Sequence, residues 1–470
     1  MRKTKIIATL GPATESPEML RQMIEAGADI FRLNMSHASH DSVRQVVPLI
    51  RSIAAELDAM TAVLMDTQGP AIRTGDLKTS IKLKPGEIFE FTIRGAHSVE
   101  HRSVDVNYDG LVDDITPGDV VLVDNGVIRM KVLEKFANRI RCEVLTDGVL
   151  GSRRHINLPG VRVNLPALTE KDIEDVALGC ELGVDFISLS FCRGPEDMVL
   201  LKKTIRENGS NARAIAKIEH QLAVNNIDDI IEESEGIMVA RGDLGIECPM
   251  EELPIIQRRI VKKCLRVDRP VIVATHMLES MISNPVPTRA EVTDVANAAF
   301  EQADAVMLSG ESSVGKYPVE CVRTLDIITR RIERSGGAGF AKETLMQDDR
   351  SRTIHSAVVL ANSLPHSKLV VFTRAGFMAR FSSILRPQSP IYAFAPNLAI
   401  CRQLKQLWGV HPLLLPLDQN PERTIEAAEA ELVRRKLAEP GDRLVIVSDL
   451  LAKAQLFASI QLRVVGAGEK

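Results

Sequence analysis

Short apolar runs recur along the first two thirds of the chain: Lys5 to Leu10, Asp29 to Met35, Thr61 to Asp66, Asp185 to Phe191, Ala212 to Glu219, Gly236 to Ala240, Pro270 to Thr275 and Asp304 to Leu308. Runs this short and this continuously apolar suit strands buried on both faces. Between most of them lie stretches with helical periodicity. These open on helix-start signals such as Ser16-Pro17-Glu18, Thr169-Glu170-Lys171-Asp172 and Pro287-Thr288-Arg289-Ala290-Glu291. Eight alternating units predict an α/β fold, a closed parallel (β/α)8 TIM barrel whose functional groups belong at the C-terminal strand ends.

The pattern changes twice. From about Pro70 to Pro166 the text turns to short alternating strands punctuated by Lys84-Pro85-Gly86, Pro117-Gly118-Asp119 and Asp124-Asn125-Gly126, with no long helical stretch. This predicts a barrel-like β domain inserted after the third strand, where a lid over a site would attach. After Gly336-Gly337-Ala338-Gly339 and Gln347-Asp348-Asp349-Arg350, which read as a linker, strands near Leu369 to Thr373, Ile391 to Ala395, His411 to Leu415, Arg443 to Val447 and Gln461 to Val465 alternate with helices. The expected organisation is a catalytic barrel over 1–69 and 167–338, an inserted lid over 70–166, and a C-terminal α/β domain over 346–470 that regulates or oligomerises.

Composition narrows the class. With 45% hydrophobic and 26% charged residues the chain can bury large cores, and a net charge of −4 gives no reason to expect nucleic acid or an anionic membrane as partner. The apolar run after Lys5 is too short for a signal-peptide core or a membrane span. Seven scattered cysteines without a Cys-x-x-Cys pair indicate neither zinc nor a disulfide framework. Buried free thiols in a cytoplasmic protein are the expectation.

The chemistry follows from strand geometry, because residues two apart share a face. Arg32, Asn34 and Ser36 end strand two, Asp66-Thr67 strand three, Lys217 and Glu219 strand five, Thr275 strand seven, and Ser309 and Glu311 strand eight; Arg241 and Asp243 follow strand six. One such pair is usually a salt bridge closing a barrel layer. Six strands ending this way point to a charged ligand, since partly buried charges are costly unless paired, metal-bound or met by a substrate. Glu219 and Asp243 could hold a hard divalent cation that keeps some waters and takes substrate oxygens. Arg32, Arg73, Lys217 and Arg241 would supply positive charge around an anionic substrate, which the glycines at Gly242 and Gly245 let the backbone approach. No Walker, Rossmann or nucleophile-elbow signature occurs, which leaves phosphoryl transfer or enolate chemistry.

Phe31-Arg32-Leu33-Asn34-Met35-Ser36-His37, Met65-Asp66-Thr67-Gln68-Gly69-Pro70, Ala216-Lys217-Ile218-Glu219, Met238-Val239-Ala240-Arg241-Gly242-Asp243-Leu244-Gly245, Asn284 to Glu291 and Met307-Leu308-Ser309-Gly310-Glu311 closely resemble the pyruvate kinases. The likeness runs in order to about Pro318 and more loosely beyond. It implies transfer of the phosphoryl group of phosphoenolpyruvate to ADP, giving pyruvate and ATP in glycolysis, by a cytoplasmic homotetramer. By the resemblance, Glu219 and Asp243 bind Mg2+ or Mn2+; Asn34, Ser36, Asp66 and the Thr67 carbonyl bind K+; Lys217 neutralises the phosphoryl in flight. Arg73 contacts phosphate, Arg32 orients the site, and Thr275, backed by Ser309 and Glu311, lies near the proton path to the enolate. Substrate contacts fall to Arg32, Lys217, Gly242, Asp243 and Thr275, and nucleotide contacts to Asn34, His37, Arg73 and Arg154.

The chain departs from the family pattern at Ala38, Ala71, His276 and Val314, with Lys316 near the last, and at Arg153-Arg154-His155, which carries the charge of the usual lid turn without its glycine. Ala71 replaces the Glu or Lys that usually separates potassium-using from potassium-independent members, so potassium activation rests on the remaining oxygen ligands. The loops Thr373 to Met378 and Leu450 to Gln455 lack the hydroxyls and glycines that cradle phosphate, which predicts weak or absent activation by fructose 1,6-bisphosphate. Two other readings stay open on the residues: a metal-dependent 2-oxo acid aldolase or lyase on the same barrel, and a degenerate effector-binding homologue.

Overall fold

The computed structural model describes residues 1–98, 100–161, 163–418, 420–452 and 455–466. Eight parallel strands, Lys5–Thr9, Ile30–Asn34, Ala62–Asp66, Phe186–Leu189, Arg213–Ile218, Gly236–Ala240, Val271–Ala274 and Ala305–Leu308, pair in chain order and close where the first meets the last. Each of the eight apolar runs supplies one. The helix starts behave as their sequences require: Ser16 accepts from the Met19 N–H ahead of Pro17, and Thr169 and Thr288 each close a capping box with Asp172 and Glu291.

The two-residue period sorts every strand. Ile7, Ile30, Ala62, Leu64, Phe186, Ile215, Met238, Ile272, Ala274, Ala305 and Met307 form the cluster inside the barrel. Alternate residues such as Phe31, Leu33, Ala216 and Val239 pack outward against the helices. Continuing the inward face towards the C-terminal ends adds Thr9, Arg32, Asn34, Asp66, Ser188, Ser190, Lys217 and Glu219. The barrel axis therefore changes from apolar to polar along its length.

At the opposite end an acid precedes each even-numbered strand: Asp29, Asp185, Glu235 and Asp304. Each accepts the N–H of a residue in the strand before it: Ile6 (2.9 Å), Val63 (2.8 Å), Ala214 (2.9 Å) and Val271 (3.0 Å). Three of the four also meet a cation of the C-terminal region: Lys405 on Asp29 (2.6 Å), Arg402 on Asp185 (2.8 Å) and Arg386 on Asp304 (2.9 Å). That end of the barrel is thereby bound to the C-terminal sheet.

Between the third strand and the helix Glu170–Glu181 lie a two-stranded ribbon (Ile81–Leu83 with Gly148–Leu150) and a six-stranded sheet around a separate apolar core that includes Phe89, Phe91 and Met130. The helix Leu111–Asp114 spans only four residues. The C-terminal sheet is five-stranded. Its last two strands, Arg443–Ala452 and Gln455–Val464, run beyond the bounds the sequence suggests because they pair with each other as an antiparallel hairpin. Lys453 and Ala454, part of the Leu450 to Gln455 loop read for effector chemistry, lie outside the described residues. Among those residues no helix is long and apolar enough to cross a membrane.

Candidate active site

Arg32, Asp66, Lys217 and Glu219 meet at the polar end of the barrel axis. Asp66 is fully buried and takes Arg32 Nε at 2.7 Å and Lys217 Nζ at 3.2 Å on one oxygen, and the Ser188 hydroxyl at 2.6 Å on the other. Burial alone would raise its pKa; Lys217 and Arg32 outweigh that and hold the carboxyl below its ordinary range. Lys217 is also buried; it donates to Ser190 Oγ at 2.7 Å and forms an ion pair with Glu219 Oε1 at 2.9 Å. Its pKa is raised because Asp66 and Glu219 overcome the cost of burial.

Glu219 has the reverse balance. Burial, with Asp243 and Asp66 adding to it against Lys217, pushes it up to about 7. Its second oxygen accepts the Phe191 N–H at 2.7 Å, from a residue held at φ 54. Asp243 sits in the first turn of Arg241–Glu247, and among the described residues no hydrogen bond or ion pair holds its carboxylate. Two cations thus face three carboxylates, one of them unpaired. Two carboxylates offered together are the donor set a hard divalent cation takes, with water and substrate oxygens completing its shell. The monovalent set is also contiguous: Asn34 is paired in register with Asp66, and Asn34 Oδ1 accepts the Ser36 N–H at 3.2 Å.

A cleft of about 1640 Å³ opens beside Asp243, walled by Gly242 and Thr275 on the barrel and Asn125, Gly126 and Pro159 on the inserted domain. Thr275 and the adjoining His276 have left-handed backbones, φ 68 and φ 53, a strained pair at the strand end. The Thr275 hydroxyl accepts the Gly242 N–H at 2.7 Å and donates to the Ala274 carbonyl at 2.6 Å. Glu311 accepts two backbone N–H groups, Ser309 at 2.7 Å and Leu278 at 3.0 Å, so it braces the strand-eight turn. Among the described residues the buried Ser309 hydroxyl has no hydrogen-bond partner.

Other sequence-predicted residues lie elsewhere. Arg241 is spent on structure, with its guanidinium bonded to Asp294 (2.5 Å) and the Thr275 carbonyl (2.7 Å). Arg73 and Arg154 stay on the inserted domain, where Arg73 reaches the Arg153 carbonyl at 3.2 Å and Arg154 pairs with Asp124 at 3.2 Å. His37 is exposed on the turn after strand two, and its N–H donates to the Asn34 carbonyl at 3.0 Å. Val314 and Lys316 are both exposed beside strand eight.

Residues that the sequence reading missed complete the site. Ser188 and Ser190 stand two apart at the end of strand four and just beyond it, so the spacing rule used for the other strands would have found them. Asn157 donates to Glu247 at 3.0 Å and ties the inserted domain to the barrel. Burial pushes Glu247 up to about 7 and lowers His220 to about 4, so their 3.4 Å approach is not an ion pair at neutral pH. His155 lies 6.0 Å from the Phe191 ring.

Comparison with known proteins bears on both the barrel and the C-terminal sheet. Residues 1–322 match the family described as "Pyruvate kinase, barrel domain" and residues 351–455 match "Pyruvate kinase, alpha/beta domain". Plastidial pyruvate kinase 2 of Arabidopsis thaliana is 40% identical over 470 residues, covering 98% of this chain and 81% of that protein. Pyruvate kinase 2 of Synechocystis is 39% identical over 488 residues, covering 100% and 81%. The crystal structure of a pyruvate kinase from Cryptosporidium parvum superposes with a TM-score of 0.94 at 33% identity, over 99% of this chain and 96% of that one. The chain belongs to the pyruvate kinase family of phosphotransferases.

Proposed function

We propose that the protein transfers the phosphoryl group of phosphoenolpyruvate to ADP, giving pyruvate and ATP, as the closing step of glycolysis. One observation carries the reading: a buried ammonium, Lys217, faces Glu219 and Asp66 while the Asp243 carboxylate stays unpaired at the edge of a large cleft. Glu219 and Asp243 would hold Mg2+ or Mn2+, which would supply positive charge to neutralise the substrate oxygens. Asn34, Ser36, Asp66 and the Thr67 carbonyl would hold K+.

In the reaction the bond from phosphorus to the enol oxygen breaks, its electron pair stays on that oxygen, and a new bond forms to a β-phosphate oxygen of ADP. Lys217 neutralises charge on the moving group, and Arg32 keeps Asp66 and the strand-two turn in place. Arg73 contacts phosphate from the lid side, and Asn34, His37 and Arg154 contact the nucleotide. The Gly242 N–H is fixed by Thr275, and the enolate carbon takes its proton along the side lined by Thr275 and Ser309, a turn that Glu311 braces. In such chemistry positioning and preorganised charge supply most of the rate.

A cytoplasmic homotetramer with neither nucleic acid nor membrane as partner is part of the same reading; the seven free cysteines support its cytoplasmic part alone. The test is a coupled assay with phosphoenolpyruvate, Mg2+ and K+: pyruvate forms only when ADP is added. Pyruvate release without ADP would transfer the site to lyase chemistry.

A further inference from the structure

We infer that Ser190 is a positioning residue that ties the monovalent-cation site to the phosphoryl lysine through a single hydroxyl. Ser190 is 2% exposed and lies in the turn directly after strand four, on its inward-facing period. Its oxygen lies 2.7 Å from Lys217 Nζ, 2.7 Å from the Thr67 carbonyl oxygen and 3.5 Å from Asp66 Oδ1.

A hydroxyl has one proton to give and lone pairs to accept with. The ammonium can only donate, so Ser190 accepts from Lys217. The hydroxyl proton then goes to the closer acceptor, the Thr67 carbonyl, while Ser188 serves Asp66 at 2.6 Å. The strand-three turn is fixed from the same residue, because the Ser190 N–H donates to Thr67 Oγ1 at 3.1 Å. Gly69 packs so closely that a Cβ there would lie 2.9 Å from Ser190 Cβ, so the turn approaches the serine only because position 69 is glycine.

Three groups hold the Lys217 ammonium: a hydrogen bond to Ser190 at 2.7 Å, and ion pairs with Glu219 at 2.9 Å and Asp66 at 3.2 Å. A phosphoryl oxygen approaching the ammonium would compete with the two carboxylates for it. Glu219 is the partner that metal binding would draw away, so Ser190 is the neutral anchor that remains. Its hydroxyl also polarises the Thr67 carbonyl and sets its direction towards a monovalent cation. Removing the hydroxyl should therefore disturb two quantities that a packing role would leave independent.

The inference rests on the phosphotransfer reading, and the two fail separately: a wild type without ADP-dependent turnover sinks that reading, whereas normal wild-type turnover with an unaffected variant sinks only this one. The test compares wild type with Ser190→Ala and with Ser190→Cys, which fills the volume but bonds weakly. We expect kcat at saturating potassium to fall on the order of 10–100-fold in both variants. The KM for ADP should stay within about twofold, since the hydroxyl touches no nucleotide contact. A readout without turnover is the potassium concentration that raises the melting temperature, which should increase roughly fivefold, the worth of one hydrogen bond. A kcat or a potassium requirement left unchanged in Ser190→Ala would overturn the link, and so would a cysteine variant that behaves like wild type.

Discussion

The two ends of the barrel are built from the same materials and differ in how completely those materials are paired. At the N-terminal end Asp29, Asp185 and Asp304 each hold a neighbouring strand's N–H and a cation from the C-terminal region. Asp29 is also met by Arg2 at 2.5 Å, and Asp185 by Arg51 at 2.8 Å. Every partner there is part of the chain. At the C-terminal end Arg32 and Lys217 face Asp66, Glu219 and Asp243, and one carboxylate is left over. Buried pairs are costly to assemble and costlier to break. Completed pairing gives a joint between domains, and incomplete pairing leaves a site that a cation and an anionic substrate can finish.

That contrast can be broken from either end. The largest effect belongs to Lys217→Met, which should reduce kcat by on the order of 10³ or more while circular dichroism shows the fold retained, with the melting temperature lowered because Asp66 and Glu219 lose a buried cation. Turnover within tenfold of wild type would remove Lys217 from its proposed place.

Withdrawing potassium should come next. With Ala71 offering neither a carboxylate nor an ammonium, turnover in a buffer of large organic cations should fall on the order of 10–100-fold and recover on titrating K+. Full activity without it would mean that another positive group, such as Arg73 or Arg154 on the inserted domain, fills the gap.

The smallest effect on rate, though not on stability, is predicted for Asp29→Asn at the other end. The expected kcat is within about twofold of wild type, with the melting temperature lower by on the order of 5 °C, because Arg2 and Lys405 lose their partner. Burial by itself would raise the Asp29 pKa, but Lys405, Arg2 and Lys5 together carry it well below the ordinary carboxylate range. A carboxyl depressed in the fold contributes stability above its unfolded value of about 4 and loses it as pH falls towards the folded value. The melting difference between Asp29→Asn and wild type should therefore be full at neutral pH and shrink below about pH 4. A difference that stays constant down to pH 3 would mean that the charge of Asp29 is not what holds the joint.

Legibility in the sequence followed the same division. All eight barrel strands were readable, because continuous apolar runs and capping signals are local properties. So were Arg32, Asp66, Lys217 and Glu219, since two-residue spacing at a strand end is also local. Arg241 was misleading: the sequence places it beside Asp243, but the helical turn directs it to Asp294 and the Thr275 carbonyl. Ser188 and Ser190 are legible by the same spacing, but no charged residue shares their period at that strand end to mark it as a site. The joint at the other end was half written, in the acids at 29, 185, 235 and 304. Its cations, at 386, 402 and 405, lie far along the chain in helices and turns on either side of the strand Ile391–Ala395, and no local pattern reveals their docking.

The central claim is that the incompletely paired end moves a phosphoryl group between two bound anions. The most direct test follows phosphorus resonances in a mixture of phosphoenolpyruvate, ADP, Mg2+ and K+ with wild-type protein. The phosphoenolpyruvate signal should disappear as the γ-phosphate of ATP appears in equal amount, stop on chelation of the divalent ion, and stay absent with Lys217→Met. Accumulation of inorganic phosphate in place of ATP, or transfer that persists in Lys217→Met, would contradict the account.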